Sequence, residues 1–292
     1  MRHTEWTGKT DGLAWMHRSL VMILKYVNIR IIYVIMSLVI PFYALFRHNE
    51  YIATYRYFRV CHRFGIVKSF LYVFKNYFVF GQIIVDRFAA YAGHKFEMSI
   101  SGYKRYETLS AGQESFLMIS SHVGNYELAG YSLKSENKSI YALVYAGESE
   151  TIMRYREIMF KSHNINMIPM SDDMSHLFHI NKALIDGDII SMPGDRIFGS
   201  QKYIQCNFFG RTAKFPAGPF TLAARKGIPM LAIFVMKTSV WNYRIKIIEI
   251  GASADVDTQR QTEKLVSDFA TVLEETLKEY PEQWFNYYDF WA

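Results

Sequence analysis

Cysteine is almost absent from this 292-residue chain, and its two copies, Cys61 and Cys206, stand far apart in no Cys-x-x-Cys arrangement. A disulfide scaffold and a thiolate zinc site are therefore excluded, and a reducing compartment fits. Proline is also scarce, at seven residues, and no stretch rich in Gly, Ser or Pro marks a linker. No internal repeat is visible. Acidic residues are short in one region only. Residues 1–95 hold 4 Asp and Glu against 13 Lys and Arg, a net of +9, while residues 96–292 hold 23 against 20, a net of −3. The basic part is also the most hydrophobic, and its cations sit singly among Phe, Tyr, Ile and Val. That pairing fits the headgroup region of a membrane rather than nucleic acid, for which no helix-turn-helix, RNA-recognition or zinc-finger pattern stands out.

A clean membrane span is missing as well. The uncharged run IIYVIMSLVIPFYALF, residues 31–46, is 16 residues long, about 24 Å as a helix against a hydrocarbon core of about 30 Å. Pro41 interrupts it, and extension backward must take in Lys25 and Arg30. A partly inserted, kinked helix is expected. A second apolar stretch, residues 69–85, is dense in Phe and Tyr, which favour the interface; buried helices packed on the rest of the protein are the alternative for both stretches. The first nineteen residues are polar and mixed, with no cleavable-signal pattern, so the chain is expected on the cytoplasmic side.

What is present is a globular composition: half the residues are apolar and 16% aromatic. The length fits one large domain with an appended helical segment. We divide it into a basic, hydrophobic helical segment, residues 1–95, that associates with membrane, and an α/β domain, residues 96–292. In the second part, 115–121, 139–146, 188–194, 229–236 and 243–250 read as strands. Segments near 151–163, 172–186, 217–226 and 257–279 read as helices, the last stopped by Pro281. The fold class is α/β.

Three constellations could carry chemistry. The first is Ser120-Ser121-His122-Val123-Gly124-Asn125-Tyr126-Glu127, at the end of an apolar strand, where ligands bind in open α/β sheets. Residues five apart on a helix differ by about 140°, so His122 and Glu127 meet only if the His precedes the regular helix, in a turn that Gly124 eases. A carboxylate on one imidazole nitrogen fixes the tautomer and leaves the other as a general base. A helix-capping His beside a solvated Glu fits the same local pattern. The second is Gly194-Asp195-Arg196, also at a strand end, where Arg196 could hold a phosphate or an oxyanion and Asp195 orient it; a buried structural ion pair fits equally. The third is Phe215-Pro216-Ala217-Gly218-Pro219-Phe220, a turn opening a helix whose N-terminus suits an anion. Arg154 and Arg156 lie early in a helix, as a solvated face or a phosphate contact. His176 and His179 share a helix face with no evident third metal ligand, and Ser120 and Ser121 lack a Gly-x-Ser-x-Gly elbow.

With these residues in view, the chain resembles the lysophospholipid acyltransferase superfamily, in the branch of the late acyltransferases of lipid A biosynthesis. The resemblance is carried by HVGNYE as a His-x4-acidic motif, then GDR, then FFGRTAKFPAGPFTLAARKGIPMLAIFV, and is completed by PEQWFNYYDFW, over roughly residues 110–292. It implies a central mixed sheet flanked by helices, behind an N-terminal hydrophobic anchoring segment, on the cytoplasmic face of the inner membrane. It implies transfer of a fatty acyl chain from an acyl carrier protein or CoA thioester to a hydroxyl or amine of a lipid or glycolipid, of lipid A or aryl polyene type. His122 oriented by Glu127 is the implied base, with Asn125, Arg154, Asp195, Arg196, Phe215, Pro216 and Gly218 as oxyanion or substrate contacts. Aromatics near 70–80 with Trp241 or Trp284 could line an acyl path, and core packing fits them equally. No metal and no cofactor are expected. The acidic residue is Glu127 where Asp is common, and Pro216-Ala217-Gly218 lacks the acidic residue of glycerophosphate-type members, which speaks against a lysophosphatidate acceptor. A non-catalytic lipid-binding protein of the same fold, and a thioesterase or esterase, remain alternatives.

Overall fold

The computed structural model describes residues 14–147, 149–170, 174–197, 202–251 and 257–291. The first thirteen residues and the predicted helix start at 172 lie outside the described residues. Four helices come first: α1 (Ala14–Leu24), α2 (Ile29–Phe46), α3 (His48–Val60) and α4 (Ile66–Tyr91). Asn28 caps α2, its side chain accepting from the Arg30 N–H at 3.0 Å. Pro41 lies inside α2 without ending it, so the expected interruption is corrected: the helix gives up one backbone hydrogen bond there and continues to Phe46.

The rest alternates strand and helix: β1 (Glu97–Ser101), α5 (Tyr103–Ala111), β2 (Phe116–Gly124), α6 (Glu127–Ser132), β3 (Ile140–Tyr145), α7 (Glu150–Lys161), β4 (Ile165–Met170), α8 (His176–Ile185) and β5 (Ile189–Pro193). A hairpin, β6 (Tyr203–Phe208) and β7 (Arg211–Pro216), leads into α9 (Gly218–Lys226), β8 (Met230–Lys237), β9 (Asn242–Ile250) and α10 (Thr258–Glu279). The five predicted strands and four predicted helices are all here. The ones not predicted, β1, β4, α5, α6 and the hairpin, are short or half exposed, so their apolar patterns are broken.

Seven strands form one mixed sheet in the order β1-β9-β8-β2-β5-β3-β4, parallel throughout except for β8 against β9. Strand β8 is buried along its whole length, as its unbroken apolar run requires of a strand covered on both faces. Leu117, Ile119, Ile190 and Phe234 face a core closed by α8, α9 and α10. Phe116, Met118, Ile189 and Leu231 face a second core closed by α5, α6 and α7. The connections leaving neighbouring strands β2 and β5 run in opposite directions along the sheet, toward β3 and toward β8, so their carboxyl ends form a switch point.

Helix α4 belongs to both cores, through Val73 and Tyr77 on one side and Ile83 and Ala90 on the other. The apolar stretch at 69–85 is therefore mainly a core helix, with only its first turns, including Ile66, Val67, Phe70 and Leu71, exposed. Helix α2 is the reverse: Val34, Leu38, Phe42, Leu45 and Phe46 face outward, and Phe46 is 84% exposed. It is the one described helix long and apolar enough to cross a membrane. A buried ion pair ties this helical layer to the sheet. Asp86 of α4 meets Lys237 Nζ of β8 at 2.5 Å and accepts from the hydroxyls of Tyr33 in α2 and Tyr243 in β9.

Candidate active site

The site forms where β2 ends. Register with β8 shifts between Ser120 and Gly124, and this bulge re-aims the intervening residues. Gly124 has φ +57, and a Cβ there would lie 1.9 Å from the Val235 carbonyl oxygen, so no other residue fits. The Asn125 N–H then donates to the same carbonyl at 2.8 Å, fixing the exit from the strand. On the neighbouring strand end, the Gly194 N–H donates to the Ser120 carbonyl at 2.8 Å. This carries the β2–β5 pairing one step further and sets Asp195 opposite His122.

His122 is hooked twice onto Asp195. Its backbone N–H donates to Oδ2 at 2.8 Å, and its ring Nδ1 lies 2.8 Å from Oδ1. An ionised carboxylate only accepts, so the ring proton is on Nδ1 and the ring lone pair on Nε2. The Trp284 indole N–H donates to Oδ2 at 3.3 Å. Arg196 lies beyond Asp195 and donates from Nη2 to the Phe285 carbonyl at 2.8 Å. The Tyr126 ring stands 5.7 Å from the imidazole. Burial pushes the Asp195 carboxyl up, but His122, Arg196 and the backbone N–H outweigh it and hold it below the usual carboxylate range. Burial first, then the Arg196 charge, hold His122 below the ordinary imidazole value of 6.5 against the pull of Asp195.

The sign of that shift gives a prediction. A base with a lowered pKa stays neutral to lower pH, so the rate of the reaction it serves is expected to hold below pH 6.5 and to fall only as pH drops through the depressed value. A rate-against-pH profile checks this, and an acid limb above 6.5 contradicts it.

Glu127 does not serve as the partner of His122. It is the first residue of α6, and its carboxylate is turned toward α4 and α7. Oε2 meets Arg156 Nε and Arg87 Nε, each at 3.1 Å, while Oε1 accepts from Tyr91 at 2.5 Å and Tyr131 at 2.9 Å. Burial raises its pKa, and the two guanidiniums and two hydroxyls more than reverse this, so it is ionised. The predicted orientation of His122 by Glu127 is corrected accordingly: a turn at Asn125 and Tyr126 does precede the helix, but two guanidiniums and two hydroxyls hold the carboxylate away from the ring. Arg87 nevertheless links the clusters, since its charge also acts on His122.

The other expected residues divide. Asp195 and Arg196 stand with His122. Arg154 is exposed on α7, and it is Arg156, two residues on, that reaches inward. Asn125 is buried, with its side chain against Tyr243. Phe215 and Pro216 are core residues, Phe215 packing on Phe290 at 5.2 Å, which in turn packs on Trp284 at 5.2 Å; Gly218 opens α9 and is exposed. The serine pair gives no nucleophile, as Ser121 is buried and Ser120 Oγ turns to the Met192 carbonyl. Among the described residues no three His, Cys, Asp or Glu side chains could share a metal ion. Sequence reading missed Arg87, Tyr91 and Tyr131, and saw Trp284 only as an apolar lining. One signal was available: Asp86 is the only acidic residue of α4, and Arg87 stands directly beside it.

The sequence profile described as bacterial lipid A biosynthesis acyltransferase matches residues 74–291, most of the chain. No curated protein sequence matches. The crystal structure of the 1-acyl-sn-glycerophosphate (LPA) acyltransferase PlsC from Thermotoga maritima covers 90% of this chain and 98% of its own, at 13% identity and a TM-score of 0.37, a loose likeness.

Proposed function

Because the chain belongs to the bacterial lipid A biosynthesis acyltransferase family and is an acyltransferase, we propose that it moves one fatty acyl group from a thioester to a hydroxyl or amine of a membrane lipid or glycolipid, with His122 as general base and Asp195 as its partner. The observation that carries this reading is the double hook of His122 on Asp195 at the ends of adjacent strands. His122 Nε2 takes the acceptor proton while the acceptor oxygen or nitrogen attacks the thioester carbonyl carbon. Arg196 faces the charge that builds on the carbonyl oxygen. The carbon–sulfur bond then breaks, and the leaving thiolate takes the proton back from the imidazolium. No acyl-enzyme is needed.

The donor is an acyl carrier protein or CoA thioester, and the acceptor is of lipid A or aryl polyene type. The outward apolar faces of α1 and α2 and the first turns of α4, rimmed by Arg18, Lys25, Arg30, Arg59 and Lys68, support seating on the cytoplasmic face of the inner membrane. A two-tailed acceptor leaves a bilayer only at about 0.8 kcal/mol per CH₂, so the enzyme must come to it. The same cations suit an acidic carrier protein.

Whole-lipid mass spectrometry of the native strain, a deletion and a His122→Ala complement tests the reading. One lipid class is expected to lose the mass of one acyl group in both the deletion and the complement. A complement that restores the native profile overturns the catalytic assignment and leaves a lipid-binding protein. Release of free fatty acid without an acceptor identifies a thioesterase.

A further inference from the structure

The segment after α10 lies across the end of β2 and touches every member of the His122 group. Val123 and Trp284 form a bridge, and the Phe285 N–H donates to the His122 carbonyl at 2.9 Å. The Phe285 carbonyl takes the Arg196 bond, and the Trp284 indole N–H takes Asp195 Oδ2, the oxygen that also holds the His122 backbone. The segment is itself pinned from α4, where Asn76 Nδ2 donates to the carbonyls of Glu282 and Trp284, each at 2.9 Å. Gln283 clamps the end of β8, accepting from the Lys237 N–H at 2.8 Å and donating to its carbonyl at 2.7 Å. Trp284 is buried among Tyr57, Phe208 and Phe290.

We propose that residues 281–285 are a strap that sets the catalytic pair, with Trp284 as a positioning residue: its indole N–H fixes the Asp195 carboxylate and draws charge away from the oxygen facing His122. This rests on the His122–Asp195 reading above. An N–H bonded to a carboxylate stabilises the anion, so part of the Asp195 charge is spent on Trp284 and less acts on the imidazole. Removing the donor concentrates that charge on His122, stabilises its protonated form and raises its pKa. The other groups that face the pair are unchanged by the substitution: Arg196 after β5, Arg87 from α4, Tyr126 after β2, and Tyr288 beside Asp195.

Trp284→Phe keeps an aromatic ring in the cluster and deletes only the donor. Trp291→Phe is the matched control, since it removes an indole bond to the Phe208 carbonyl, at 3.0 Å in the same cluster, without touching Asp195. The readout is carbethoxylation of His122 by diethyl pyrocarbonate across pH, followed by peptide mass spectrometry on the full chain in detergent. It needs no substrate. Trp284→Phe is expected to raise the His122 midpoint by roughly half to one pH unit, with Trp291→Phe at the native value. In the lipid assay, turnover in Trp284→Phe is expected to fall about tenfold, a size typical of groups that orient a reacting residue. Equal midpoints in all three proteins, or equal shifts in both variants, overturn the proposal. If Trp284→Phe does not fold, ¹⁵N-tryptophan labelling of the native chain decides: one of its five indole signals is expected to move with the His122 midpoint, and none moving overturns it. A His122→Ala protein that still transfers acyl groups would instead sink the underlying reading, whatever Trp284 does.

Discussion

Asp195→Asn is expected to lower the transfer rate by roughly 10³–10⁴-fold with little change in fold, a loss of the size seen when a buried Asp partner of a catalytic His becomes an amide. The reason is a count of acceptors. Asp195 presents oxygen to the His122 backbone N–H and to the Trp284 indole at Oδ2, and to the ring Nδ1 at Oδ1. Asparagine has one oxygen. Two donors claim it at the Oδ2 position, so its NH₂ faces Nδ1, which must then be unprotonated. The ring proton moves to Nε2, and the base becomes a donor. Initial rates of acyl transfer, together with a melting curve, check this. A variant within tenfold of the native rate would mean that His122 is oriented by something other than Asp195.

The second large effect is on stability. Asp86→Ala is expected to cost about 3–5 kcal/mol, because it leaves the Lys237 ammonium buried without its carboxylate. Burial already works against both charges, pushing Asp86 above the usual carboxylate range and Lys237 below the usual amine value. The Tyr33 and Tyr243 hydroxyls also lose their shared acceptor. For a chain of this length a loss of that size lowers Tm by roughly 10 °C. The paired replacement Asp86→Leu with Lys237→Met is expected to recover part of it, since it removes the uncompensated ammonium while the two tyrosine hydroxyls stay without their acceptor. Differential scanning fluorimetry of the native protein and both variants distinguishes a true ion-pair effect from simple loss of packing: if the double variant melts as low as Asp86→Ala, the pair is not the cause.

Much of the α/β frame was legible because its central strands are covered on both faces and therefore read as unbroken apolar runs. Strands β2, β5 and β8 are the clearest. The edge strand β1 alternates exposed and half-buried residues over only five positions, and gave no comparable signal. The site was half legible. Both strand ends were identified, and so were His122, Asp195 and Arg196. Their pairing was not, because Asp195 lies 73 residues downstream of His122 and the insertion of β5 between β2 and β3 is a fact of topology. The resemblance to a His-x4-acidic motif instead favoured Glu127, whose partners come from α4, α7 and its own helix. The FFG block illustrates another limit. It read as part of a family signature, and its local role is the hairpin turn between β6 and β7, with Phe209 at φ 54 and Gly210 at φ 73.

The strap also fixes when the site comes into being during synthesis. His122 and Asp195 leave the ribosome early, whereas Trp284 follows Asp195 by 89 residues, a delay of roughly 5–20 s at bacterial elongation rates. The apolar faces of α1 and α2 emerge before any of them. On the proposed membrane seating, a nascent chain reaches the bilayer with its sheet half built and its His–Asp pair unsupported. On the proposed roles, acyl transfer waits until the last stretch has been translated and laid across β2.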